Sequence, residues 1–193
     1  MDTLKPRPRY SEADLERILA TEERIRTRVD QLASEVSESY GGEEITVVCV
    51  LSGALVFTSD LIRRLKLPTR LDCIRADSYG NATQSSGSPR IAQSLKHDIA
   101  GKRVLIVDDI LDTGATLDKI VDNLKQAKPA SIKTCVLLDK KERRQVDIDA
   151  DFVGFEIPDA FVVGYGLDFA EHYRHLPCIG VLKPELQSLS ETD

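Results

Sequence analysis

Asp108, Asp109 and Asp112, followed at once by Thr113, Gly114 and Thr116, crowd three carboxylates and two hydroxyls into one short stretch of the chain. Carboxylates in such a set can hold a hard cation or accept hydrogen bonds from sugar hydroxyls, and one of them can take a proton. The Thr113-Gly114-Ala115-Thr116 turn suits different chemistry. If a helix starts there, its unpaired N–H groups and positive dipole end form a phosphate cradle. Carboxylates repel phosphate, so the two halves of the stretch must address different parts of one ligand. A phosphate carried on a sugar satisfies both. The competing readings are an Asx-rich surface turn and the Asp-Asp-x-x-Asp motif of prenyl-diphosphate enzymes. The second belongs on a helix, and the apolar run before Asp108 argues against it.

That run, Val104 to Val107, has the continuous β-branched character of a parallel strand buried on both faces. Leu117, Ile120, Val121 and Leu124 recur at helical spacing, so the helix begins at Gly114 or Ala115. Open parallel sheets bind ligands at the carboxyl ends of their strands, where these acids fall. The same grammar recurs upstream. Ile45 to Leu51 reads as a strand, Ser52-Gly53 as a tight turn, and Leu55 to about Lys66 as a helix. Leu71 to Ala76 is the next strand, and Asp77 to Pro89 is a loop of turn formers that suits a lid. Ile91 to Leu95 reads as a returning strand, and Ala130 to Leu138 as another, ending in Asp139-Lys140. Residues 152–174 read as two short strands, a Pro turn and a polar loop. At the other end, Ser11 looks like an N-cap, and the face of Leu15, Ile18, Leu19, Ile25, Val29, Leu32 and Val36 predicts one long helix to about Ser39. Gly41-Gly42 ends it.

The chain of 193 residues is long enough for one domain with a proper core. No apolar run is long enough to span a membrane, and no signal-peptide pattern is present, so neither a membrane nor export is expected. Cys49, Cys73, Cys135 and Cys178 form no Cys-x-x-Cys pair and read as buried free thiols in a reducing cytoplasm. A net charge of −6 weighs against a general nucleic-acid partner, though not against a small anion held by local positive groups. His97, His172 and His175 show no metal spacing and read as surface residues.

The Asp108–Thr116 stretch resembles the 5-phosphoribosyl 1-pyrophosphate motif of the type I phosphoribosyltransferases. Leu51-Ser52-Gly53, the Ser78-Tyr79 loop and the run from Phe152 to Arg174 resemble the hypoxanthine–guanine branch of that family, in the same order along the chain. The resemblance implies an α/β fold: a central parallel sheet flanked by helices, with a small hood from the N- and C-terminal segments. It implies one domain over 1–193, with a core at about 45–150 and a hood from about 1–15 and 151–185. It also implies transfer of phosphoribose from 5-phosphoribosyl 1-pyrophosphate to a 6-oxopurine base, with Mg²⁺ as cofactor, in a homodimer or homotetramer.

By the same resemblance, Thr113, Gly114, Ala115 and Thr116 anchor the 5′-phosphate, while Asp108 and Asp109 meet ribose hydroxyls and a magnesium ion. Asp112 accepts the proton from nitrogen 7 of the base, provided burial weakens its acidity. Ser52, Gly53 and Arg174 meet pyrophosphate, although Ser52 stands where many relatives carry a basic residue. Lys140 donates to the 6-oxo group, Phe161 stacks on the base, the Val162 backbone reads its edge, and Asp168 holds a second Mg²⁺. Ser78 and Tyr79 belong to the closing loop, and Arg144 is a further candidate for pyrophosphate. Two alternatives remain: a phosphoribosyltransferase that prefers xanthine, and a nucleotide-binding regulatory protein on the same fold. Lys140 as a solvated strand end, and Phe161-Val162 as plain hairpin core, are the bland readings of those residues.

Overall fold

A computed structural model describes residues 10–77, 90–91 and 95–187. In chain order the elements are β1 (Leu15–Ala20), α1 (Glu22–Tyr40), β2 (Ile45–Leu51), α2 (Leu55–Ile62), β3 (Thr69–Asp77), β4 (Arg90–Ile91), β5 (Arg103–Leu111), α3 (Ala115–Lys125), β6 (Ser131–Asp139), β7 (Phe152–Glu156), β8 (Val162–Val163) and β9 (Ile179–Leu182). Six of the strands form a sheet in the order β4-β3-β2-β5-β6-β7. Its five main strands, β3, β2, β5, β6 and β7, run parallel, and β4 adds an antiparallel edge.

The parallel strands are buried on both faces, which is why they read as unbroken apolar runs. Alternate residues serve opposite layers. Val47, Leu105, Val107, Cys135 and Leu137 pack under Ile25, Val29, Leu32 and Val36 of α1 and Phe57 and Leu61 of α2. Val48, Val50, Val104, Ile106 and Val136 pack under Leu117, Ile120 and Leu124 of α3. From β2 the chain crosses to β3 on one side of the sheet, and from β5 to β6 on the other. The strand order therefore reverses between β2 and β5. β2 and β5 pair from Ile45↔Arg103 to Cys49↔Val107, and beyond this register their carboxyl ends carry Ser52-Gly53 and Asp108-Asp109. Such a reversal opens a crevice suited to a ligand.

A second sheet, β1-β9-β8, shares no strand with the first, although Ala20, Val162, Ile179 and Val181 pack into the same core. It corrects the expectation of one helix from Ser11 to Ser39. Ser11 does cap a helical turn, but that turn covers only Glu12–Asp14, and Leu15–Ala20 is a strand paired with β9. Leu15, Ile18 and Leu19 meet helical spacing by chance, and cross-chain pairing with Ile179–Leu182 overrides it. Helix α1 starts afresh at Thr21, whose Oγ1 accepts from the Arg24 N–H. Gly41, in the left-handed region, stops it as expected. Helix α2 is shorter than expected, ending at Ile62 rather than Lys66. The partly buried Leu65 packs on the core without extending the helix. Strand β9 was not foreseen, and Leu95 lies outside any strand. Cys49, Cys135 and Cys178 are buried free thiols, and Cys73 is only partly buried. No described helix is long and apolar enough to cross a membrane.

Candidate active site

Strand β5 runs four residues further than its apolar core, because β6 continues to pair with it as far as Leu111↔Asp139. Asp108 and Asp109 are thus strand residues rather than turn residues, and the sheet itself fixes their directions. Asp108 is only 6 % exposed. Its Oδ1 accepts the Asp109 N–H at 2.9 Å, and Asp109 Oδ1 accepts the Ile110 N–H at 2.9 Å. Burial, reinforced by the adjacent Asp109 charge, pushes the Asp108 carboxyl well above the usual carboxylate range. Burial also raises Asp109, against hydrogen bonds and the Arg174 charge that favour its ionised form.

Gly53 explains how close the two strand ends come. A Cβ there would overlap the Asp109 carboxylate, so the turn after β2 has room for that acid only as glycine. The Leu51–Ser52 peptide bond before it is cis. Gly166, at φ 103°, fits against the Gly53 carbonyl, where a Cβ would collide. The loop after β8 is thereby brought onto the same crevice. It is held there by Arg174, which donates to the Gly166 carbonyl at 2.8 Å and pairs with Asp168 at 2.9 Å.

Past Leu111 the chain turns through Asp112 into α3. Gly114 has φ 90° and a Cβ there would press on Ile148, so this cradle also requires glycine. The Thr113 carbonyl accepts from the Gln145 and Val146 N–H groups, which staples the segment after β6 to the turn. The first intrahelical bond of α3 runs from the Asp118 N–H to the Gly114 carbonyl. Ahead of it the Ala115 N–H donates weakly to Thr113 Oγ1 at 3.4 Å, and the Thr116 and Leu117 N–H groups have no intrahelical acceptor, as a phosphate site requires.

A cavity of about 440 Å³ lies beside this turn, lined by residues that include Asp109, Asp112, Lys140, Phe161, Val162 and Asp168. Five of the expected purine- and sugar-contacting side chains therefore share one space with the β8 backbone. Phe161 is 41 % exposed, large for an aromatic ring, and meets Phe169 edge to face at 5.5 Å. It is a ring with an open face rather than hairpin core. Lys140 is 7 % exposed, so it is no solvated strand end. Asp108, Gly53, Arg174 and the Thr113–Thr116 turn are not among the cavity's lining residues and border it through Asp109, Asp168 and Asp112. Ser78 and Tyr79 lie outside the described residues.

Two expectations are corrected here. Arg144 does not reach out for pyrophosphate: it is mostly buried, pairs with Asp139, and donates to the Leu111 and Asp112 carbonyls at 3.2 and 2.6 Å. It braces the strand ends. Asp112 lacks the burial on which its role as a base was to depend. Its side chain is 37 % exposed, and its Oδ1 accepts from Arg143 Nε at 2.7 Å. Sequence reasoning missed both Arg143 and Asp159, which line the cavity and pair with one another at 3.4 Å. The basic run after Lys140 was the only sequence signal for the first.

The acids also bear on a metal. Asp108 and Asp109 form an adjacent pair whose charge burial leaves under-compensated, a donor set that fits a hard dication. Among the described residues, no group of three or more His, Cys, Asp or Glu could hold an ion alone. An ion held by this pair would need further ligands from outside the protein, which is common for Mg²⁺. Asp168 fits less well, since it already pairs with Arg174 and accepts the Glu171 N–H at 3.0 Å.

Comparison with known proteins gives these features a setting. Residues 15–170 match the Phosphoribosyl transferase domain family. The chain is 52 % identical over 162 residues to the hypoxanthine-guanine phosphoribosyltransferase of Aquifex aeolicus, covering 83 % of this chain and 91 % of that protein. It is 47 % identical over 171 residues to the enzyme of the same name from Bacillus subtilis, covering 89 % and 95 %. A crystal structure of a hypoxanthine phosphoribosyltransferase from Staphylococcus aureus superposes with a TM-score of 0.86 at 44 % identity, covering 92 % of this chain and 96 % of that one.

Proposed function

The chain belongs to the phosphoribosyl transferase family, and from that membership we propose that it is a purine-salvage enzyme acting on 6-oxopurines. It transfers the 5-phosphoribosyl group from 5-phosphoribosyl 1-pyrophosphate to hypoxanthine and guanine, releasing pyrophosphate. The observation that carries this reading is the shared cavity, in which a buried ammonium (Lys140), an open aromatic face (Phe161) and a carboxylate (Asp112) surround a space beside the Asp109 carboxylate.

The reaction is displacement at the anomeric carbon, so the site must steady a departing anion and exclude water. Thr113, Gly114, Ala115 and Thr116 hold the 5′-phosphate on the α3 end, and Asp108 and Asp109 orient the ribose hydroxyls. Ser52 and Gly53 offer backbone N–H groups to pyrophosphate, with Arg174 beside them. Lys140 donates to the 6-oxo group, Phe161 stacks on the ring, Val162 presents its backbone to the base edge, and Asp112, partly exposed in the free chain, accepts the nitrogen-7 proton once the bound base covers it. Asp108 and Asp109 would hold Mg²⁺, which when bound would supply electrostatic stabilisation of negative charge on the departing pyrophosphate. Asp168 acts mainly by fixing Arg174, and takes a second ion only if that pair opens. Ser78 and Tyr79 are assigned to the closing loop.

The same reading takes residues 1–193 as one domain whose three-stranded sheet is the hood. It places the enzyme in the cytoplasm, as a homodimer or homotetramer whose partners are its small substrates. The test is pyrophosphate release from hypoxanthine and 5-phosphoribosyl 1-pyrophosphate with Mg²⁺. Release matched mole for mole by inosine monophosphate is expected, and Asp112→Asn is expected to slow it by about 10²–10⁴, the usual worth of a placed proton acceptor. Tight nucleotide binding without turnover would instead mark a regulatory protein.

A further inference from the structure

Lys140 and Asp112 come from different strand ends, yet the reading above requires both on one edge of the purine, where the 6-oxo group and nitrogen 7 are neighbours. Something must set the spacing between them. The structure holds a continuous chain of alternating charge that does so. Lys140 Nζ lies 3.8 Å from Asp159 Oδ1, Asp159 Oδ2 lies 3.4 Å from Arg143 Nη1, and Arg143 Nε donates to Asp112 Oδ1 at 2.7 Å.

The backbone builds this chain from three neighbouring strands. Asp112 follows β5, Lys140 and Arg143 follow β6, and Asp159 lies between β7 and β8. The single helical turn at Lys141–Arg143 is closed by the Arg143 N–H on the Lys140 carbonyl at 3.1 Å. Lys140 and Arg143, at the two ends of this turn, both line the cavity. The Gln145 and Val146 bonds to the Thr113 carbonyl then fix the distance from this turn to Asp112.

We propose that Arg143 and Asp159 are positioning residues that yoke Lys140 to Asp112, so that a bound 6-oxopurine closes the series through its 6-oxo group and nitrogen 7. Arg143 occupies Oδ1 of Asp112 and leaves the other oxygen to the base. Asp159 tethers both cations and keeps Lys140 from swinging onto Asp112 directly. The inference rests on the roles given to Lys140 and Asp112 under the proposed function.

The two ideas separate in one double-mutant cycle. Arg143→Leu is expected to lower kcat/KM for hypoxanthine about tenfold, a partial loss of orientation, while KM for 5-phosphoribosyl 1-pyrophosphate stays within about twofold. Arg143→Lys should recover part of the loss, and Asp159→Ala should imitate Arg143→Leu. Arg143 is exposed enough that its removal should leave the melting temperature unchanged, which keeps folding out of the result. In the Asp112→Asn background Arg143→Leu should have little further effect, because the proton acceptor that Arg143 positions is already lost, even though the amide oxygen can still accept from Arg143 Nε. Additive losses, or equal damage to both substrates, would show that Arg143 acts elsewhere and overturn the yoke alone. A silent Asp112→Asn single variant would also overturn it, and would identify the role given to Asp112 as the point of failure.

Discussion

Replacing Asp108 by Asn should stabilise the ligand-free protein while disabling it. Asp108 is buried, and its nearest ionisable neighbour is another carboxylate. The amide oxygen can keep the bond from the Asp109 N–H, and the new amide N–H group can donate to the Asp109 carboxylate, so that repulsion becomes attraction. Relief of a buried, poorly compensated charge of this kind is worth about 1–3 kcal/mol. For a chain of this length each kcal/mol moves the melting temperature about 2–4 °C, giving a rise of about 2–12 °C. The sign with pH follows from the raised carboxyl. In the wild type, its contribution to stability is full below the unfolded-state value and is lost as pH rises through the higher folded-state one. The advantage of Asn should therefore be largest at neutral pH and shrink on acidification. Scanning calorimetry without metal or substrate reads this directly. Adding Mg²⁺ and 5-phosphoribosyl 1-pyrophosphate should raise the wild type more than the variant, by mass action. An unchanged or lower melting temperature for metal-free Asp108→Asn would refute the view that this acid waits, uncompensated, for a cation and a sugar.

Three further outcomes follow from the same geometry. Phe161→Ala should weaken purine binding by about 1–3 kcal/mol, the worth of stacking a base on an aromatic ring, with 5-phosphoribosyl 1-pyrophosphate binding and melting temperature nearly unchanged; titration calorimetry decides, and a collapse in stability would make Phe161 core. Gly53→Ala should drive a methyl into the Asp109 carboxylate and cost about 1–3 kcal/mol of stability together with most of the activity; a wild-type melting curve and rate would mean that the two strand ends are not so close. Arg144→Ala should lower the melting temperature through the loss of its ties to Asp139 and the Leu111 and Asp112 carbonyls; loss of pyrophosphate affinity at unchanged stability would restore it to the ligand site.

The strand–turn–helix units around Ser52-Gly53 and Asp108–Thr116 were legible because local sequence determines them. A strand buried on both faces must be apolar throughout, and a helix over a sheet must show its stripe. Leu15–Ala20 was not legible, since its partner Ile179–Leu182 lies at the far end of the chain and nothing local distinguishes a strand there from a helix. The length of β5 was hidden for a related reason: acids at its end are paired by β6, and composition alone makes them look like turn. Lys140 and Phe161 were found through motif likeness, whereas Arg143 and Asp159 were missed. Their significance lies in pairs with Asp112 and Lys140, set by three loops brought together only in the fold.

The most direct measurement compares two bases. An ammonium group has donors and no acceptor, so Lys140 suits the 6-oxo group of hypoxanthine and opposes the 6-amino group of adenine. Sites built to hydrogen-bond one group reject analogues lacking it by about 10⁴–10⁵. At saturating 5-phosphoribosyl 1-pyrophosphate, kcat/KM for hypoxanthine should exceed that for adenine on that scale. Lys140→Met should erode the gap by lowering the hypoxanthine value, without creating adenine activity. Comparable wild-type use of both bases, or an unaltered ratio in the variant, would contradict the placement of a 6-oxopurine against Lys140.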